Sequence, residues 1–321
     1  MSEKTKIWLI IAASLVVLGL IMFAVVMSAY NWDFTRLSTE KYKTNTYYIT
    51  QAFNNIAMNT DTADILFAMS DDKTCKVVCH EQEKINYSVG VADGTLTINV
   101  VDNRAWYEYI GINFDKSKIT VYLPEIEYNS LFIKESTGDI VIPKDFEFSD
   151  VDISLSTGDV KFLANTSELV KIKTSTGNIC VENASAGAIE LSVSTGEVTV
   201  SGVDCEGDVK IKVSTGRTNL TDTKCKNVIS SGSTGNINLK NVIASQQFLI
   251  KRSTGDVRFD GSDAAEILVQ TDTGHVKGTL LTNKVFIAQT DTGSVNVPNT
   301  VDGGKCEIST DTGDIKISIK E

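Results

Sequence analysis

The sequence predicts an all-β protein: a parallel β-solenoid (β-helix) of about ten coils of 19–20 residues, with an N-terminal β cap and one transmembrane helix ahead of it. Three observations carry this. A Ser/Asp-Thr-Gly tripeptide returns ten times. Apolar residues repeat with period two on both sides of it. An uncharged apolar run of 23 residues, Ile7 to Ala29, lies near the N-terminus. A fixed period near twenty residues marks a stack in which each repeat is one coil leaning on its neighbours.

Residues 1–6 carry Lys4 and Lys6 and are expected on the cytoplasmic side. Residues 7–29 are long enough to cross the roughly 30 Å hydrocarbon layer as a helix. Tyr30 and Trp32 follow where an aromatic belt would sit. A cleaved signal is the alternative, but its apolar core would be shorter, and Met27-Ser28-Ala29 is a poor small-x-small site. The expected placement is therefore a single-pass membrane protein with its C-terminal solenoid extracellular.

Residues 30–49 read as a stalk, because Asp33 to Thr46 is polar and aperiodic. Residues 50–130 read as a degenerate first coil and a β-hairpin cap. Asp61-Thr62-Ala63-Asp64-Ile65 repeats the later motif with Ala63 in the glycine slot. Tyr87, Val89 and Val91 face Leu96, Ile98 and Val100 across Asp93-Gly94, a strong hairpin signal. Ile119 to Leu123 is a strand stopped by Pro124. Between these lies the aromatic stretch with Trp106, Tyr107 and Tyr109, which either plugs the open end of the solenoid or forms a binding surface.

Residues 131–321 hold the coils, whose corner glycines are Gly138, Gly158, Gly177, Gly196, Gly216, Gly235, Gly255, Gly274, Gly293 and Gly313. Counted from each glycine, positions −7, −5, +2 and +4 are apolar almost throughout, as in Leu131, Ile133, Ile140 and Ile142 of the first coil. Each coil thus gives two strands joined at a turn that Ser or Asp starts and Gly completes. Small residues at +9 suggest a second corner and put Cys205 and Cys225 in one slot of adjacent coils, within disulfide reach, though parallel stacking aligns their side chains rather than converging them. Cys306 reads as core, Cys180 as an outward thiol, and Cys75 and Cys79 as too far apart to bond. The strand Ile315 to Ile319 reads as an open edge blunted by Lys316 and Lys320, and thus a site of end-to-end self-association.

Net charge of −11 argues against nucleic acid as a partner. Two histidines and no CxxC leave little material for a metal or cofactor site, and none is expected. Stacked Asp272, Asp291 and Asp311 read as solvated turn carboxylates in preference to a calcium site. No coil carries the local carboxylate cluster of a polysaccharide lyase or hydrolase, so no catalytic residue is assigned. The three Thr-Asp-Thr-Gly copies are too few, and sit at a turn, for an ice-facing threonine array.

The Asp61–Ile65 entry copy, the Asp93-Gly94-Thr95-Leu96-Thr97-Ile98 strand, the Ile119–Pro124 strand and the ten Ser/Asp-Thr-Gly-x-Val/Ile coils together resemble a bacterial family of envelope proteins with β-strand repeats, known as candidate adhesins, a domain of unknown function. The resemblance covers residues 50 to 321 and implies adhesion or a role in envelope stress, with no agreed site residues. The expectation is a non-enzymatic, adhesin-like surface protein binding a glycan or protein through the polar coil faces or the aromatic loop. The alternative is an envelope-stress regulator working through membrane-protein partners of the helix. A polysaccharide-active enzyme ranks last.

Overall fold

The computed structural model describes residues 2–33, 41–71, 73–105 and 116–320. A helix spans Glu3–Ala29, with the Ser2 hydroxyl accepting the Thr5 N–H at its start. Apart from Met27, which is buried, its side chains are exposed along the membrane-length apolar stretch. Everything else described is strand and turn.

The coils stack as expected. Long strands such as Glu127–Thr137, Glu147–Thr157 and Ser185–Thr195 pair in parallel and in register to form one sheet. Short strands such as Ile140–Ile142, Val160–Phe162 and Ile179–Glu182 form the other. The tripeptide is the corner between them. Gly158 has φ 138°, and a Cβ there would lie 2.0 Å from the Gly138 carbonyl oxygen. At Gly216 the same approach to Gly196 is 1.6 Å, so stacking itself demands the missing side chain. The Gly158 N–H in turn donates to Thr176 of the next coil at 2.9 Å.

The second corner is not at +9. It lies at +6, where Asn183, Gly202, Asp222, Asn241 and Gly261 all take positive φ between 47° and 63°. Asn, Asp and Gly tolerate that conformation best. The +9 residues Ala186, Cys205, Cys225, Ala244 and Ala264 instead point into the core. Their small size fits a narrow interior. Cys205 and Cys225 are free thiols, as are the other four cysteines. Burial pushes the Cys225 thiol up to about 12. Cys306 is core, and Cys180, on the outward side of its short strand, is half-buried.

The stalk reading fails for residues 42–49. Tyr42–Ile49 is a strand, antiparallel to Cys75–Gln82, with Tyr47 and Ile49 packed on the core. Its polar residues satisfy partners: Asn45 Nδ2 donates to the fully buried Glu81 carboxylate. The hairpin registers as expected, Tyr87 opposite Val100 and Val91 opposite Leu96.

The coils at both ends stand out of chain order. At the front, Asn55–Asn59 pairs with both Thr95–Asp102 and Glu127–Thr137, and Asp64–Met69 lies between Lys118–Leu123 and the Gly138 coil. At the far end, Gly304–Thr312 pairs with Val257–Thr273 on one side and Lys284–Thr292 on the other. Ile315–Ile319 likewise sits between Val276–Leu280 and Val295–Asn296. The Gly313 coil is therefore inserted between the Gly274 and Gly293 coils, and Ile315–Ile319 is not the open edge. That edge belongs to Lys284–Thr292 and Val295–Asn296. Packing explains the order. The Gly313 coil brings Cys306, Ile308, Ile315 and Ile317, all buried. The Gly293 coil brings Phe286, Ala288 and Val297, which are only half-buried, and Pro298, which lacks a ladder N–H and belongs at an edge.

Candidate functional site on the outer face of the long-strand sheet

The ten corner glycines form one ladder along the stack, each against the backbone of the coil beside it. Most of the residues that follow these glycines are structural too. Asp64, Asp139, Asp159 and Asn178 each accept, through a side-chain oxygen, the backbone N–H of the equivalent residue one coil on, at 2.7–3.0 Å. The ladder resumes at Asn236 and Asp256 and then passes from His275 Nδ1 to Asp314 and from Asp314 to Ser294, in the stacking order rather than the chain order. Asp272, Asp291 and Asp311 are exposed, and no three His, Cys, Asp or Glu side chains converge as a metal site among the described residues. Trp106, Tyr107 and Tyr109 lie outside the described residues. The front core is filled by Phe53, Tyr128, Phe148, Phe146 and Phe67, whose rings follow one another at centroid distances of 5.9–6.3 Å.

A further inward column went unread in the sequence. Position −3 is buried as well, and it carries Glu135, Leu155, Thr174, Val193, Val213 and Arg252. Arg252 runs back along the stack and donates to the Val213 carbonyl at 3.0 Å, Thr218 Oγ1 at 2.9 Å and Ser230 Oγ at 3.4 Å. Thr218 and Ser230 are the polar breaks in the apolar columns. Gly232 leaves the space, since a Cβ there would lie 1.7 Å from Arg252 Nη1. Burial lowers the guanidinium to about 10, so it stays charged at neutral pH. A glycine and two hydroxyl residues within one column set were the legible signal.

The surface that can meet another molecule is the outer face of the long strands, at positions −6 and −4. Register places neighbours side by side. The −4 row reads Lys134, Ser154, Lys173, Ser192, Lys212, Ser231, Lys251 and Gln270. The −6 row reads Phe132, Asp152, Lys171, Glu190, Lys210, Ile229, Leu249 and Leu268 on the same strands. Lys171 reaches Asp152 at 3.0 Å and Lys210 reaches Glu190 at 3.3 Å. The carboxylate beside Lys171 raises its ammonium through hydrogen bonding and charge. The four lysines of the −4 row are exposed and form no ion pair among the described residues. A shallow groove of about 300 Å³ lies here, walled by Lys173, Lys210, Lys212 and Ile229, and a second of about 150 Å³ continues past Lys251 and Leu268.

Several solved structures resemble the chain. One, described as a candidate adhesin from Parabacteroides merdae, aligns over 74% of this chain and 96% of its own with 14% identity and a TM-score of 0.52. Another, described as a candidate lipid-binding protein from Parabacteroides distasonis, aligns over 75% of this chain and 98% of its own with 16% identity and a TM-score of 0.53. At these identities the likeness is one of fold. No curated protein matches the chain. The family profile described as Toastrack DUF4097 matches residues 53–213 and 205–321, and so covers the chain from Phe53 onward, every coil included. On that match and this architecture, the chain belongs to the Toastrack DUF4097 family.

Proposed function

We propose that this protein is an adhesin-like binding or display protein of the bacterial cell envelope, without catalysis, tethered by the Glu3–Ala29 helix with its N-terminus cytoplasmic and its solenoid outside. The grooved outer face of the long-strand sheet carries the reading, because the four lysines of its −4 row stand exposed and form no ion pair among the described residues of an acidic protein. The names of the two structural neighbours, one for adhesion and one for lipid, agree with a binding role and point to no reaction. Lys4 and Lys6 before the helix support the orientation.

A glycan and protein array probed with the detergent-solubilised full chain tests this. Capture of a surface glycan or matrix protein, lost when the groove lysines are changed, is the expected result. The second reading, an envelope-stress regulator acting through membrane proteins, draws support from the helix, whose outward side chains are free to pack on a partner. If deletion alters a stress response while the array stays empty, that reading replaces the first. Turnover of any polysaccharide that is abolished by changing Asp272 or Asp291 would overturn the non-catalytic reading. The Gly293 coil also supplies an end for self-association, through the open edge Lys284–Thr292.

A further inference from the structure

The −4 row has a second, longer period. Lys134, Lys173, Lys212 and Lys251 recur every 39 residues, which is every second coil. Stacking places them about 10 Å apart on a straight line along the solenoid. Serines 154, 192 and 231 fill the alternate places. On the positions −6 and −4 of the Gly138 to Gly255 coils, six lysines face two carboxylates, in a chain whose net charge is −11. Asp152 and Glu190 neutralise Lys171 and Lys210, which leaves the single −4 line as the row without counter-ions.

From this geometry, and resting on the binding role proposed above, we infer that the row is a docking track for a linear acidic polysaccharide lying along the solenoid axis. One anionic group meets every second coil. The serine hydroxyls between the lysines suit sugar hydroxyls, and half-buried Ile229, Leu249 and Leu268 offer an apolar strip for the carbon faces of the rings. The four lysines span six coil steps, roughly 30 Å, so only an extended chain reaches all of them.

Other anionic partners fit less well. A single-stranded nucleic acid needs rings for its bases, and Phe132 is the only aromatic side chain on these two rows. A flat anionic bilayer must also approach Asp150, Asp208 and Glu266, which flank the rows at position −8. A single chain lying on the −4 line avoids them. The charge also favours slender over broad contact, since the rest of the acidic surface repels whatever extends beyond the row.

The test uses the full chain in nanodiscs of phosphatidylcholine, with hyaluronate, which carries one carboxylate per disaccharide, and neutral dextran as probes. Hyaluronate is expected to bind at low salt and to be released near 1 M salt, where screening shortens to about 3 Å. The quadruple change Lys134→Gln, Lys173→Gln, Lys212→Gln, Lys251→Gln is expected to weaken binding by about tenfold or more. Changing Lys224, Lys226, Lys240 and Lys277 to Gln is the matched control and should leave it unaltered. All eight side chains are polar surface groups, and unchanged thermal melting checks that each variant is folded. Equal loss in both variants, equal binding of dextran, preference for a single-stranded oligonucleotide or for phosphatidylserine nanodiscs, or no hyaluronate binding at all would overturn the track. If the array shows a neutral glycan or a protein held elsewhere on the coils, the binding role stands and the track alone fails.

Discussion

Arg252 shows how one residue accounts for several oddities at once. A buried cation costs several kcal/mol unless its donors are met. Here Val213, Thr218 and Ser230 meet those of the two terminal nitrogens, while Nε is buried without a partner, and Gly232 clears the path. Gly232→Ala should therefore destabilise the solenoid by roughly 2–4 kcal/mol, because the new methyl meets both Arg252 and the Val213 carbonyl. Denaturant unfolding measures this; a loss below about 0.5 kcal/mol would mean the channel is not needed. Glu135 is the other ionisable group of the same column. Burial pushes its carboxyl up to about 8, against the hydrogen bonds from Ala63 and Thr137 that lower it. Its Oε2 is buried without a partner, and a proton there removes the charge that burial disfavours. A raised folded-state value means folding holds a proton that the unfolded chain releases near 4.5. The contribution is complete below that pH, declines as pH rises towards 8, and is flat beyond. Wild type should thus lose roughly 2–4 kcal/mol relative to Glu135→Gln between pH 4.5 and pH 8. Parallel pH–stability curves for the two proteins would contradict a protonated Glu135.

At the scale of elements, the decisive feature is the inserted Gly313 coil. Lys284 and Asp263 form a buried ion pair at 2.6 Å although their strands both flank Gly304–Thr312. The pair crosses that coil where Gly304 has no side chain, and a Cβ at Gly304 would lie 1.8 Å from the Ala265 carbonyl. Asp263 also accepts the Ala264 and Leu281 N–H groups, so its lone pairs are filled. Breaking such a pair costs about 3–5 kcal/mol. Lys284→Met should lower the melting temperature, and hydrogen exchange should rise first in 284–319. A chain ending at 303 carries the sharper consequence. Lys284–Thr292 and Val295–Asn296 pair only with the removed strands, so 284–296 should lose its exchange protection together with them. In a stack built in chain order those residues would stay protected, and that outcome would refute the insertion.

The whole molecule is a rod with unlike ends. At the front, the antiparallel strands Ile85–Ala92 and Tyr42–Ile49 extend the two sheets, and the aromatic cluster closes the core. At the far end, Phe286, Ala288 and Val297 are half-buried, and Val285, Ile287 and Val295 are exposed. The edge strand there lacks the outward lysine that commonly blunts such an edge, since Lys284 is turned inward. The full chain in detergent is expected to dimerise with rising concentration in sedimentation experiments, and Ile287→Lys to abolish it. A monomer at every concentration would count against association through this end.

Much of this was legible in the sequence because β-solenoids write their geometry in local periods. Period two within strands and nineteen or twenty between coils gave the two sheets, the glycine corners and the hairpin at Asp93-Gly94, all of which depend on nearest neighbours. The lysine row was legible in the same way once register was fixed. The sequence left open what depends on distant coils. Which column hides Arg252 and Glu135, which coil lies outermost, and that residues 42–49 are a strand were decided by three-dimensional packing. The physical reason is that equal repeats are interchangeable by local pattern. Coils of similar period can stack in more than one order, and only the burial of the better apolar quartet, Cys306, Ile308, Ile315 and Ile317, with the Asp263–Lys284 pair locked across it, selects the order found.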